Sequence, residues 1–324
     1  MTEADKNPKP KKKATRVKVP ELPKDDVIVF TEIISLIFQG YKADGTDEDK
    51  RLAISNIKKY LKQTVDKFAP ESEFNIVVLY DSSTMVKSDA DSIYSAVTSF
   101  TDDKPILLVL YSNGGIIGSA YLIGQLCREH SKEKFVITVP RQAKSAATLL
   151  CCAGDEIHMG SLSELGPIDP QINGLPALGL KNSIKHIANL VKETPESAEM
   201  FARYLNYSVK PIDLGYYERV AESAMQYAEK LLSSNKDKLP KPAGIIAHDL
   251  VYAYKDHGFV LDKNESLSIF GDQLIKINTP EYDIGNIVYN ELSTIERLFG
   301  YLDYNFYLIG CIDSEPTITK KRTH

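Results

Sequence analysis

The chain has 324 residues, of which 43% are hydrophobic and 26% charged, values close to those of an ordinary soluble globular protein. This composition excludes a collagen-like or wholly disordered chain, and the length allows one large domain or two smaller ones. The net charge of −5 combines a net +5 in the first 18 residues with a net −10 in the rest. An acidic body argues against nucleic acid as a partner.

The first 26 residues are rich in lysine and proline, and we expect them to form a disordered basic tail. Such a tail is able to make peripheral contact with anionic lipid. We expect no transmembrane segment, because the longest apolar run, 27–38, falls short of the ~20 residues that a spanning helix needs. The four cysteines have no CxxC spacing, which indicates reduced thiols and a cytoplasmic location.

From residue 47 onward the sequence predicts alternating helices and strands. An amphipathic helix at 47–68 comes first. The predicted strands are 74–80, 105–111, 134–140 and 156–159, and the predicted helices between them are 88–100, 116–130 and 145–153. Because the strands are apolar throughout, they are typical of a parallel sheet covered by helices on both faces. Ligands bind such sheets at the carboxyl ends of the strands, which here are followed by the loops 112–115 and 141–145.

The second half of the chain is predicted to be mainly helical. A loop at 161–174 leads to helices at 213–232 and 243–257 and to a short strand at 258–261. An apolar stripe from Ile284 to Phe299 predicts a further helix, and a strand follows at 306–312.

Ser145 is the first candidate for chemistry, because it follows a predicted strand and opens a predicted helix. The unpaired amides at a helix N-terminus stabilise developing negative charge, which suits a serine that attacks a carbonyl group. Serine is also a preferred N-cap residue, so a purely structural role is the alternative.

Gly114 and Gly115 form the second candidate, at the end of the strand before. Glycines there let a backbone amide approach a substrate closely, although a simple tight turn is the alternative. The sequence lacks the GxxxxGK[ST] and GxGxxG patterns of nucleotide sites at this turn. It also lacks the GxSxG pattern of α/β-hydrolases.

A Gly-Gly turn on one strand and a serine-led helix on the next form the layout of the Clp protease and crotonase superfamily. The strings PRQAKSAATLL (140–150) and DEIHMGSLSELGPIDPQ (155–171) strongly resemble the serine dehydrogenase proteinase family, which is related to signal peptide peptidase A. The resemblance runs from Phe74 to Gln171 and continues weakly to Asp262. It implies an α/β, Clp/crotonase-like fold: a parallel sheet with covering helices and helical C-terminal additions. We divide the chain into the tail 1–26, a peptidase domain 27–263 and a C-terminal helix and strand extension 264–324.

The resemblance implies a serine peptidase that acts on peptides or unfolded proteins and assembles as a homo-oligomer, with no metal or cofactor. Ser145 would be the nucleophile, and the amides of Gly115 and Ala146 would form the oxyanion hole. Gly114 and Gly166 would lie in the loops that shape the substrate site. A non-catalytic Clp-fold scaffold for peptide binding or assembly is the alternative function.

The base that activates Ser145 is left open by the sequence. Clp proteases use a histidine shortly downstream of the serine, and residues 166–170 contain none. The related peptidases use a lysine farther downstream, which points to Lys181 or Lys185; burial would have to lower the pKa of that lysine. Solvated helix lysines are the alternative. If the lysines fail, His158, His186, a residue of the C-terminal segment or a neighbouring subunit would have to serve.

Overall fold

The computed structural model describes residues 27–69, 73–172, 175–208 and 211–322, so the predicted tail 1–26 lies outside the described residues. The helices in these ranges are α1 (Phe30–Tyr41), α2 (Asp47–Phe68), α3 (Lys87–Ser99), α4 (Ile117–His130), α5 (Ala146–Cys151), α6 (Ala177–Glu193), α7 (Ala198–Ser208), α8 (Pro211–Leu232), α9 (Ala243–Tyr252), α10 (Lys263–Phe270) and α11 (Pro280–Tyr301). The strands are β1 (Asn75–Asp81), β2 (Ile106–Ser112), β3 (Phe135–Val139), β4 (Gln142–Ala143), β5 (Glu156–Met159), β6 (Glu164–Leu165), β7 (Gln171–Ile172), β8 (Leu175–Pro176), β9 (Leu261–Asp262), β10 (Ile275–Ile277), β11 (Tyr304–Cys311) and β12 (Thr317–Lys320).

The predicted α/β class with a mostly parallel central sheet is confirmed. The strand order is β10-β5-β3-β2-β1-β11-β12. Every pair from β10 to β1 is parallel, whereas β11 pairs antiparallel with β1 and with β12. The short strands β4, β6 and β9 extend the sheet beyond the carboxyl end of β2.

The apolar strands bury both of their faces because two separate cores flank the sheet. Val77 and Leu79 of β1 point into a core shared with α3, α4, α5, α8 and α9. Their neighbours Val78 and Tyr80 point into the other core, which α1, α2 and α11 cover. Successive side chains of a strand therefore point alternately into two apolar cores. For this reason the sequence shows continuous apolar runs.

The segment 264–324, predicted as an extension, contributes strands on both sides of the parallel strands. β10 pairs with β5, and β11 pairs with β1. The connecting helix α11 packs Phe299 against Phe306 of β11, with ring centroids 5.4 Å apart, and against Tyr41 of α1 at 4.8 Å. The segment is thus part of the same sheet and core.

Truncation of Phe299 tests whether the C-terminal segment is integral to the core. Phe299 is fully buried, so Phe299→Ala is expected to lower the free energy of unfolding by about 3–5 kcal/mol. Tyr301, two residues later on the same helix, is 80% exposed. Tyr301→Ala is therefore expected to change the free energy of unfolding by less than about 0.5 kcal/mol. Urea denaturation of both variants measures the difference. Equal, small effects would show that the segment is a dispensable addition.

The predicted helix over 243–257 is wrong beyond Tyr252, where α9 ends. After it, the Asp256 side chain accepts a hydrogen bond from the Gly258 amide at 2.9 Å, a local turn that competes with helix formation. The predicted strand at 258–261 is reduced to the two residues of β9, which pair with β6. The segment 253–260 is therefore a loop, and this loop carries His257.

The apolar run 27–38 forms much of α1, whose Ile33 and Ile37 are fully buried against the sheet core. In the part of the chain that the structure describes, no helix combines the length and the hydropathy needed to cross a membrane.

Candidate active site

Ser145 lies in a sharp turn between β4 and α5. Its backbone has φ 52° and ψ −116°, a conformation that residues with a side chain rarely adopt. An N-cap residue normally has an extended backbone and caps the helix through its side chain. Ser145 has neither feature, since its side chain makes no capping hydrogen bond. The capping alternative is therefore not supported, and the geometry is that of a serine held on a strained strand-to-helix turn.

Contacts on both sides of Ser145 hold this turn. The Thr148 hydroxyl donates to the Ala143 carbonyl at 2.7 Å and accepts from the Gly166 amide at 3.1 Å. The Lys144 amide donates to the Ser112 carbonyl at 3.0 Å, and the Lys144 ammonium lies 3.1 Å from the Glu164 carboxylate. Fixed neighbours of this kind are what a strained backbone needs in order to persist.

Gly114 packs directly against the serine turn. Its φ of +95° favours glycine, and a Cβ added there would lie 2.5 Å from the Lys144 carbonyl oxygen and 2.9 Å from the Ser145 Cβ. A Cβ on Gly115 would collide with the backbone of Met85. The two glycines thus let the loops after β1, β2 and β4 meet without intervening side chains.

Two backbone amides beside Ser145 remain available. The Gly114 amide is not one of them, because it already donates a hydrogen bond to the Ser112 hydroxyl at 3.0 Å. The amides of Gly115 and Ala146 donate no backbone hydrogen bond among the described residues, the latter because it is the first amide of α5. These are the two amides that the sequence resemblance implied for an oxyanion hole.

Substitution of Gly114 tests the close contact between the two turns. Gly114→Ala places a methyl group against backbone atoms at positive φ, so we expect the free energy of unfolding to fall by at least about 1–3 kcal/mol. Displacement of the Ser145 turn should also remove measurable activity. Gly118→Ala is the matched control, because Gly118 lines the same cleft and a Cβ there meets nothing within 4 Å. Thermal unfolding and peptide hydrolysis are measured on both variants. Equal stability and equal activity of Gly114→Ala and Gly118→Ala would show that the close contact between the two turns is not needed.

His257 was missed as a site residue by the sequence analysis, and the structure places it at the cleft that Ser145 also lines. Its Nδ1 atom is buried and lies 3.7 Å from the Oδ2 atom of Asp169, whose side chain is 10% exposed. The Ile168 amide donates to the Leu250 carbonyl at 2.9 Å and ties the Asp169 loop to α9, close to the loop that carries His257. Asp169 stands in the second of the two strings that carry the family resemblance, and His257 stands in the stretch up to Asp262 over which the resemblance is weak; no spacing rule connects the two residues.

The lysines predicted as bases are not brought to Ser145 by any described contact. Lys185 is exposed on α6, and the side chain of Lys181 lies outside the described residues, so the Ser-Lys dyad stays a prediction. Gly166 lies behind the serine turn, where a Cβ would come within 2.7 Å of the Lys144 side chain. Its backbone therefore supports the turn that carries Ser145.

The other two histidines considered as bases lie elsewhere. His186 is exposed on α6. His158 is 2% exposed on β5, where its ring contacts Thr279 at 2.6 Å, Glu156 at 3.3 Å and Glu281 at 3.5 Å. Burial lowers the pKa of His158. These contacts join β5 to the start of α11. His158 is therefore part of the packing between these two elements and does not line the cleft.

The cleft has a volume of about 920 Å³. Residues 113–118, Ser83, Thr84 and one face of α8 line the cleft, as do Ser145, Pro170 and His257. Among the described residues, no group of histidine, cysteine and acidic side chains is arranged to hold a metal ion.

The cleft brings together the Ser145 hydroxyl, the His257 ring next to the Asp169 carboxylate, and two available amides. Groups of these kinds are the ones that acyl transfer requires.

The part of the chain that carries the parallel strands β1 to β5 and the serine turn matches a known family model. Residues 48–196 match the model of the family described as ClpP-like SDH-type serine proteinase. The resemblance to serine dehydrogenase proteinases is therefore confirmed over this part of the chain.

Two uncharacterized proteins of Methanocaldococcus jannaschii, MJ0137 and MJ1495, are 35% and 34% identical to this chain over 97 and 92 residues. The alignments cover 30% and 28% of this chain and 34% and 31% of the relatives, so the chain spans about a third of the length of the curated relatives it matches.

Two solved structures of the 1510-N membrane-bound stomatin-specific protease are also similar. One is a serine-to-alanine mutant, and the other is a lysine-to-alanine mutant in complex with a substrate peptide. They cover 75% and 76% of this chain and 92% and 88% of their own, both at 14% identity and a TM-score of 0.41.

Proposed function

We propose that this protein is a serine peptidase that hydrolyses peptide bonds through Ser145. The observation that carries the proposal is that one cleft is lined by Ser145, on a strained turn, by the Gly114-Gly115 turn and by His257. The family match to serine proteinases supports the same activity. We expect peptides or unfolded proteins as substrates, because their backbones are able to enter an open cleft.

His257 is the residue that we propose as the general base, with Asp169 holding its ring. The buried Nδ1 atom faces the Asp169 carboxylate, which would fix the tautomer that leaves Nε2 free to accept a proton. The Nδ1–Oδ2 distance of 3.7 Å is longer than a hydrogen bond. Catalytic hydrogen bonds are often long in a free enzyme and shorten when the substrate binds.

In the reaction, His257 takes the proton of the Ser145 hydroxyl as its oxygen attacks the substrate carbonyl carbon. The amides of Gly115 and Ala146 donate hydrogen bonds to the oxyanion that forms. The protonated His257 then gives its proton to the leaving amine, and the C–N bond breaks to leave an ester on Ser145. A water molecule, deprotonated by His257, hydrolyses this ester and restores the serine hydroxyl.

The predicted lysine base is the competing assignment for the same reaction. A lysine would need a pKa lowered by burial, and Lys185 is exposed. Separate substitutions of His257, Lys181 and Lys185 distinguish the two assignments. Homo-oligomeric assembly and a cytoplasmic location stay predictions made from the sequence.

The activity is tested with a library of quenched-fluorescent peptides and with an unfolded protein of unrelated sequence. We expect the full chain to cleave peptides from the library and Ser145→Ala to cleave none. Ser223→Ala, the same substitution at a hydroxyl elsewhere in the cleft, should retain activity within about tenfold. Binding of peptides without cleavage by the natural chain would instead support the non-catalytic scaffold.

A further inference from the structure

A single face of α8 lines part of the cleft. Tyr216, Arg219, Ser223 and Tyr227 recur at helical spacing and line the same space as residues 113–118. Arg219 is exposed, so its guanidinium is accessible to a ligand that enters the cleft.

The charge of this cleft is unbalanced. Arg219 is the one lysine or arginine among the described residues that line it, and no aspartate or glutamate side chain lines it there. Two other arginines in the described part of the chain have carboxylate partners: Arg128 pairs with Asp155 at 2.8 Å, and Arg203 pairs with Glu199. Arg219 pairs with no described carboxylate, which leaves a positive charge facing the space where the substrate binds.

We propose that Arg219 selects substrates that carry a carboxylate near the scissile bond. Guanidinium is always charged and presents planar donors that match a carboxylate in a bidentate pair. The carboxylate has two sources in a peptide, an aspartate or glutamate side chain and the C-terminal carboxyl group. This inference rests on the proposed peptidase function, whose substrate class it narrows.

The test compares matched peptides in which glutamate replaces glutamine at successive positions, each made with a C-terminal acid and with a C-terminal amide. We expect the best carboxylate peptide to exceed its neutral partner about tenfold in kcat/KM, as one charge-assisted hydrogen bond allows. The preference should shrink as salt is raised. A preference confined to the glutamate pairs identifies a side-chain site, and one confined to the acid-amide pairs identifies the peptide C-terminus.

Arg219→Gln should abolish the preference, and Arg219→Glu should shift it toward lysine-containing peptides. Arg203→Glu makes the same charge change on α7, where Arg203 is exposed and pairs with Glu199 outside the cleft lining, and should leave the preference intact. Circular dichroism confirms that each variant is folded. A preference that persists in Arg219→Gln, or hydrolysis without any preference in the natural chain, would overturn the inference while the peptidase function stands.

If the natural chain hydrolyses no peptide, the peptidase function fails and a binding measurement decides the inference separately. Fluorescence anisotropy with the same labelled peptides should then show tighter binding of the carboxylate peptides, lost in Arg219→Gln. Equal binding of charged and neutral peptides would overturn it.

Discussion

Ser145→Ala is expected to lower kcat for peptide hydrolysis by roughly five to six orders of magnitude, because it removes the nucleophile. Its stability should change little: alanine must adopt the same positive φ, and no capping hydrogen bond is lost. We expect the free energy of unfolding to stay within about 0.5 kcal/mol of that of the natural chain. Hydrolysis assays and urea denaturation on the same preparations give both quantities.

Ser145→Gly separates strain from chemistry at the same position. Glycine tolerates φ 52° and ψ −116° without the cost borne by a side chain, which is about 1–3 kcal/mol. Because glycine also has a more flexible unfolded state, we expect a net gain of about 1 kcal/mol in unfolding free energy, with activity lost. If Ser145 only capped α5, the results for Ser145→Ala would be reversed: the variant would retain activity and lose about 1 kcal/mol of unfolding free energy.

His257→Ala is expected to lower kcat by roughly 10²–10⁴-fold, the usual contribution of a general acid–base group. Combined with Ser145→Ala it should cause little further loss, because residues that act as one unit are not additive. Asp169→Asn should also lower kcat, since the amide no longer favours the required tautomer of the His257 ring.

Lys181→Ala and Lys185→Ala are the matched tests of the rival base. If His257 is the base, each should change kcat by less than about tenfold. If one lysine substitution equals Ser145→Ala in its effect and His257→Ala remains active, the lysine dyad is the correct assignment. All of these variants should be compared with the same peptide and at the same pH.

The sheet and the serine turn were predictable because their signals are local. β1, β2 and β3 each bury both faces, so each appears as a continuous apolar run that ends in polar or glycine residues. Ser145 follows from its place between a strand and a helix. The strained backbone of Ser145 was not predictable, because the strain is imposed by contacts with Gly114, Thr148 and the strands around them.

The proposed base for Ser145 was not predictable, because its position depends on contacts between distant segments. His257 faces Asp169 only because the loop at 166–170 is tied to α9 and because α9 ends at Tyr252. The sequence from 243 to 257 continues a helical pattern, and a helix reaching 257 would leave His257 in a different place. The two-residue strands β4, β6 and β9 are likewise too short to show any periodicity.

Covalent labelling shows whether Ser145 is a nucleophile that is activated within this cleft. A fluorophosphonate probe phosphonylates an activated serine: the serine oxygen bonds to phosphorus and fluoride leaves. Peptide mapping by mass spectrometry then identifies the modified residue. We expect one modification, at Ser145, that is slowed by His257→Ala and abolished by unfolding the protein. A folded natural chain that acquires no label, or that is labelled at a serine other than Ser145, would show that Ser145 is not an activated nucleophile.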